Sequence, residues 1–139
     1  MLQKCHDWLK LGGYLAFTTP THQSYQAELK VRVCQEVLGI DLPHILRPLW
    51  TEQKCRALLQ EAGFQNIEVT THLYNRQQLN PNRLSRLEQD FYPRGNPLLE
   101  LSDSQLTALH TAYQQAITDW VIQYGPIQEN YSFLVTAKK

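Results

Sequence analysis

The sequence predicts an α/β domain, and three stretches predict it. In the first, LQKCHDWLK from Leu2 leads through Gly12-Gly13 into the apolar run YLAFTT. In the second, WTEQKCRALLQEAGF reads as a capped helix that ends at a glycine and leads into the β-branched IEVTT. The third is the apolar C-terminal stretch YSFLVTA, which follows a long helical stripe. Helical and strand periods that alternate along one chain point to a sheet packed against helices.

With 139 residues the chain is expected to form a single domain, 1–139, around one modest core. Thirteen basic and 13 acidic residues leave a formal net charge of zero, and no basic run stands out. Neither nucleic acid nor an anionic membrane is therefore an expected partner. The apolar stretches are strand-length, far short of the roughly 20 residues that cross a bilayer, and no charged and apolar blocks of a signal peptide open the chain. A soluble, cytoplasmic protein is expected. Cys5, Cys34 and Cys55 lie far apart and are odd in number, so reduced structural thiols are expected rather than a disulfide framework. The histidines form no HxxxH pair on a helix face, and no metal is expected.

Residues 2 to 10 place Leu2, Cys5, Trp8 and Leu9 on one helical face, with Gly12-Gly13 as the C-terminal stop. YLAFTT from Tyr14 to Thr19 is near-continuously apolar, the pattern of a strand covered on both faces. Pro20 has no amide hydrogen for a ladder and ends it. Residues 23 to 38 then predict a helix with Ala27, Val31, Cys34 and Leu38 inward, followed by a loop over 39–48. Thr51 is a suitable N-cap, with Glu52 near the positive helix end, apolar Ala57, Leu58, Leu59 and Ala62, and Gly63 at C′. Ile67 to Thr71 predicts the next strand. Residues 75 to about 101 are polar and interrupted by prolines, with a short helix expected around 83–90. Ser102 and Gln105 have capping-box spacing and open a helix carrying Leu106, Leu109, Tyr113, Ile117, Trp120 and Tyr124 on one face up to Gly125-Pro126. The segment at about 75–130 thus reads as a helical insertion before the last strand.

In this order the elements resemble the C-terminal half of a class I S-adenosylmethionine-dependent methyltransferase, over nearly the whole chain. Leu9, Lys10, Leu11, Gly12 and Gly13 match that family's "LKPGG"-like turn, with leucine where proline is usual. Leu58, Leu59, Ala62, Gly63 and Phe64 match its "LLxxAGF" helix end, and Phe133 to Lys139 matches its final strand. The resemblance implies a partial Rossmann-like methyltransferase fold: a small mixed sheet whose last strand lies antiparallel between the other two, with flanking helices. It also implies a parent activity of methyl transfer from S-adenosylmethionine to a small molecule. The family's glycine-rich cofactor turn and its ribose-holding acidic residue match nothing here, and Gly12-Gly13, between a helix and a strand, reads as a turn and not as that loop. No cofactor is expected on this chain alone, and the free edge of residues 14–19 implies a partner, either a second copy in a dimer or a chain supplying the missing strands.

Ligands of open α/β sheets sit at the carboxyl ends of strands, which directs attention to Phe17 through His22. Substrate-binding candidates are Thr19 and His22, as hydrogen-bonding groups, and Tyr25, as a packing surface. His22 is the one base candidate in that loop, against its ordinary reading as a solvated residue before a helix. Trp50 reads as a staple fixing the approach to the next helix, and Phe91, Tyr92 and Arg94 are further candidates to line a pocket. Two other functions stay open beside the enzyme reading: a non-enzymatic split domain that pairs through its strand edge, and an unrelated small α/β binding protein.

Overall fold

A computed structural model describes residues 1–44 and 47–139. Its elements are α1 (Leu2–Trp8), β1 (Tyr14–Pro20), α2 (Ala27–Leu38), α3 (Glu52–Glu61), β2 (Gln65–Gln78), α4 (Asp103–Tyr124) and β3 (Ile127–Lys138), with short 3₁₀ turns between them. The strands form one three-stranded sheet in the order β1-β3-β2, and both ladders are antiparallel. The last strand therefore lies antiparallel between the other two, as the resemblance implied. The topology follows from the connections, since β1 and β2 are joined through helices and run the same way, while β3 returns from α4 and fits between them.

One face of the sheet carries Leu15 and Phe17 of β1, Val69 of β2, and Phe133, Val135 and Ala137 of β3. Against it pack Leu2, Cys5 and Leu9 from the α1 region and Cys55, Leu59 and Ala62 from α3. α1, before β1 in sequence, and α3, before β2, thus cover the same face. The expectation of a strand buried on both sides is corrected: Tyr14, Ala16 and Thr18 are exposed on the other face, Tyr14 by 66%. A second core joins α2, α4 and the segment 79–101 around Cys34, Leu87, Leu98, Leu109, Tyr113 and Ile117.

Local signals account for most boundaries. Thr51 Oγ1 accepts from the Lys54 amide at 3.2 Å, and Ser102 with Gln105 forms the full capping box. Gly63 follows the α3 cap at φ +91°, and a Cβ there would stand 3.1 Å from His6 Nε2, so both backbone and space call for glycine. Gly12-Gly13 does not cap α1, which already ends at Leu9. It forms a turn closed by Gly13 N–H to Lys10 O at 2.8 Å and tied to the end of β3 through Lys139.

Trp8 also departs from expectation, being 81% exposed. It stands roughly 100° around the helix from the Leu2, Cys5 and Leu9 stripe, and His6 packs inward instead, edge-on to Phe64 with centroids 5.1 Å apart. α2 begins at Ala27 rather than residue 23, after a 3₁₀ turn at Ser24–Gln26. Around 83–90 there is only a 3₁₀ turn at Leu87–Gln89, held by the buried Leu87. In the loop expected over 39–48, Leu42 is fully buried and Arg47–Leu49 is a 3₁₀ turn, while residues 45 and 46 lie outside the described residues. β2 runs on to Gln78 because residues 73–78 pair with Ile127–Tyr131, although neither face of that stretch is buried.

Candidate functional site

At the carboxyl end of β1 the chain leaves the sheet through Thr21 to Gln26, and side chains continue the ladder. The Thr21 amide donates to Tyr131 O at 2.9 Å. Ser24 then takes the place of a strand residue, its Oγ donating to Tyr131 O at 2.7 Å and accepting from the Tyr131 amide at 2.9 Å. Tyr25 and Gln26 both have φ of +54°, a left-handed conformation that non-glycine residues seldom adopt. Fully buried Asn130 holds them there. Its Oδ1 accepts from the Tyr25 amide at 2.8 Å and its Nδ2 donates to Asn75 Oδ1 at 2.7 Å. The Gln26 amide group donates to Gln128, whose own amide donates to Gln23 O at 3.0 Å. β3 thus buries Gln128 and Asn130 near its start and Phe133, Val135 and Ala137 near its end, on opposite faces of the strand.

From Gln26 a cleft of about 550 Å³ opens between the outer end of the β2–β3 ladder, the segment 79–85 and Tyr113 of α4. A smaller hollow of about 210 Å³ shares Pro81, Leu84, Ser85 and Tyr113 and extends to Arg86, His110 and Gln114. Tyr113 forms the floor, with its hydroxyl 3.5 Å from Gln26 Oε1, and burial pushes its phenol pKa well up, so it stays protonated. The Leu79 amide donates to Pro126 O at 2.8 Å and carries the β2–β3 ladder one step past Gln78.

Beside the smaller hollow, His110 Nε2–H donates to Glu88 Oε2 at 2.7 Å, with Arg86 3.7 Å from the other carboxylate oxygen. Burial pushes the Glu88 carboxyl up, but its backbone amide, the His110 hydrogen bond and the His110 and Arg86 charges outweigh this and hold it below its ordinary 4.5. A lowered carboxylate pKa contributes stability above the ordinary value, and that contribution is lost as pH falls through the lowered one. Urea midpoints of the wild type and Glu88→Gln are therefore expected to differ at neutral pH and to converge in acid. A gap that stays constant with pH would refute the assignment.

Of the expected substrate residues, Thr19 is buried on the face that packs on α3, opposite Phe133. His22 is tied to the approach of α3, its amide and its Nδ1 both donating to Trp50 O, at 2.8 and 3.0 Å. A carbonyl only accepts, so Nδ1 carries the hydrogen and Nε2 keeps the lone pair of the neutral ring, 3.9 Å from Glu28 Oε1. An imidazole held this way can take a proton at Nε2. Tyr25 is half-buried and its backbone faces β3. Among the described residues no hydrogen bond joins Thr19, His22 and Tyr25 to one another. Trp50 is half-buried, with Lys54 Nζ 5.0 Å and the Arg47 guanidinium 5.7 Å from its ring. Phe91 and Arg94 are exposed and Tyr92 is buried with its hydroxyl donating to Leu87 O at 2.8 Å, so none of the three lines the cleft. Sequence reasoning missed Gln26, Gln77, Gln78, Asn80, Arg83 and Asn130. The one signal was Tyr113, whose hydroxyl in an otherwise apolar stripe requires a polar neighbour.

Cys34 and Cys55 are buried free thiols pushed up to about 11 by burial, which leaves them protonated and structural. Among the described residues no group of three or more His, Cys, Asp or Glu is placed to hold a metal. The connection from β1 to α2 does not fit a nucleoside cofactor. It contains no glycine, and its amides at Thr21, His22, Ser24 and Tyr25 are already bonded to Tyr131, Trp50, Thr21 and Asn130.

No family model matches the chain, and no curated protein matches it. Among solved structures it is similar to the crystal structure of a SAM dependent methyltransferase from Archaeoglobus fulgidus, at 12% identity and a TM-score of 0.37. That match covers 99% of this chain and 50% of the other, so the chain spans about half the length of that structure. The likeness is distant and assigns no residue a role. Among the described residues no helix is long and apolar enough to cross a membrane.

Proposed function

We propose that this chain is the acceptor-side part of an S-adenosylmethionine-dependent methyltransferase that acts on a small molecule, completed along the outer edge of β1 by strands from a second copy or another chain. The observation that carries the reading is that edge. Lys139 N–H bonds Gly13 O and Thr21 N–H bonds Tyr131 O, so odd-numbered residues of β1 face β3. By alternation the N–H and C=O groups of Tyr14, Ala16 and Thr18 point outward. No charged residue among 14–20 guards them, and edges of this kind are normally paired or blocked. The loop after β1, with His22 as the base candidate and Tyr25 further along it, then borders the acceptor, and the cleft behind Gln26 receives its body, while buried Thr19 supports the strand end beneath the loop. Methyl transfer is an in-line displacement governed by positioning, and this chain's share is to hold the acceptor and take its proton at His22 Nε2.

The same edge favours a second reading, a non-enzymatic module that pairs through β1, and cofactor binding separates the two. The test combines sedimentation with calorimetric titration of S-adenosylmethionine. Self-association that Ala16→Pro abolishes is expected if a second copy completes the sheet, since that substitution removes an outward amide and no ladder bond. Saturable heat in the associated form supports methyl transfer, and association without heat supports the module. A strict monomer that binds the cofactor would overturn the need for added strands.

A further inference from the structure

We infer that the cleft between residues 77–86 and α4 binds a small organic anion, a carboxylate or phosphate ester, with Arg83 holding its charged oxygens. This deepens the reading above, because the same cleft would receive the methyl acceptor.

The argument begins with charge. Neither the cleft nor the adjoining hollow is lined by an aspartate or a glutamate, whereas Arg83, Arg86 and His110 all contribute to their walls. In a chain with no net charge, cations normally find acids nearby, and here Arg32, Arg47, Arg56, Arg76 and Arg86 each pair with a carboxylate. Among the described residues Arg83 and Arg94 have no ion pair, and of these two only Arg83 lines the cleft. It is nonetheless placed by a fixed turn. Asn80 Oδ1 accepts from the Asn82 amide at 2.9 Å, and Asn80 O accepts from the Arg83 amide at 2.9 Å. Gln114 Nε2 donates to Asn82 Oδ1 at 3.3 Å, which ties the turn to α4, and Leu84 packs against the helical core. An arginine presented on a braced turn, with its fork unoccupied, suits bidentate recognition of a carboxylate or phosphate.

The rest of the lining fits the body of such a molecule. Gln26, Gln77, Gln78, Asn80 and Ser85 offer donors and acceptors for hydroxyls and carbonyls, with little apolar surface to favour a lipid. The cleft is open to solvent, and its volume of about 550 Å³ leaves room for a small molecule.

The test is a ¹⁵N–¹H correlation titration of the whole chain with citrate and, separately, inorganic phosphate, against sodium chloride at matched ionic strength. Saturable shifts confined to residues 77–86 and 110–114 are expected, and the tighter probe tells carboxylate from phosphate recognition. Arg83→Gln should weaken binding by about tenfold or more, and Arg94→Gln, an arginine outside the cleft, should leave it unchanged. The spectrum itself reports whether each variant is folded. Shifts spread over all surface cations, shifts reproduced by chloride, equal binding by Arg83→Gln, or no saturation would each overturn the inference. All of this is read on the chain alone, so anion binding can fail while completion of the sheet succeeds, and the reverse.

Discussion

Asp90→Asn is expected to lower stability by about 3 kcal/mol, as breaking a buried ion pair from one side does. Lys30 lies in α2 with its side chain only 9% accessible, and its ammonium is 2.7 Å from Asp90 Oδ2, which approaches from the segment between β2 and α4. An asparagine keeps the shape and removes the charge, leaving an ammonium in the helical core without its counterion. His44, buried nearby, does not replace it: burial first and the Lys30 charge second push its pKa down, and Asp90 is what pulls it up. Lys30→Met removes the buried charge, leaves a 27% accessible carboxylate that water can reach, and should cost clearly less. Urea unfolding of the two variants measures the difference. If Asp90→Asn proved as mild as Lys30→Met, the pair would have to be open to solvent.

Leu59→Ala should cost about 2–5 kcal/mol, the range for deleting a fully buried leucine. Leu59 is 0% exposed and stands between α3 and the sheet residues Phe133, Val135 and Ala137. Neighbouring strands limit how far the site can collapse, because β3 is hydrogen-bonded on both sides along this stretch. Leu58→Ala, one position along at a half-buried site, is expected to cost less than about 1.5 kcal/mol. Thermal or denaturant unfolding of the pair distinguishes the inward face of α3 from its flank. Equal losses would mean that the helix is rotated from the orientation described.

The helix caps were the most legible part of the chain. Thr51 and the Ser102–Gln105 box each rest on a hydrogen bond within four residues, so neither depends on distant partners. Strand lengths were legible only where burial imposed a pattern. YSFLVTA reads as a strand because Phe133, Val135 and Ala137 alternate inward, but Leu73 to Gln78 is exposed on both faces, and only pairing with β3 makes it a strand. Trp8 misled because hydrophobicity marked it for the core while its angle around a seven-residue helix put it outside.

The candidate site was only partly legible, for the same reason. That the loop after β1 deserved scrutiny followed from strand order, and His22 was found there. What surrounds it comes from far along the chain: Trp50 sets the tautomer of His22, Asn130 holds Tyr25, and Tyr113 with Arg83 shapes the cleft.

By itself, then, the sequence determined the α/β class, the order of the main elements, the helix starts at Thr51 and Ser102 and the strand end at Pro20, all of which depend on periodicity and on contacts a few residues apart. Tertiary structure alone decided which face of β1 is covered, how far β2 extends, and that polar residues from β2, β3, α4 and the segment 79–86 share one cleft. Those outcomes depend on contacts between residues tens of positions apart, which no local pattern encodes.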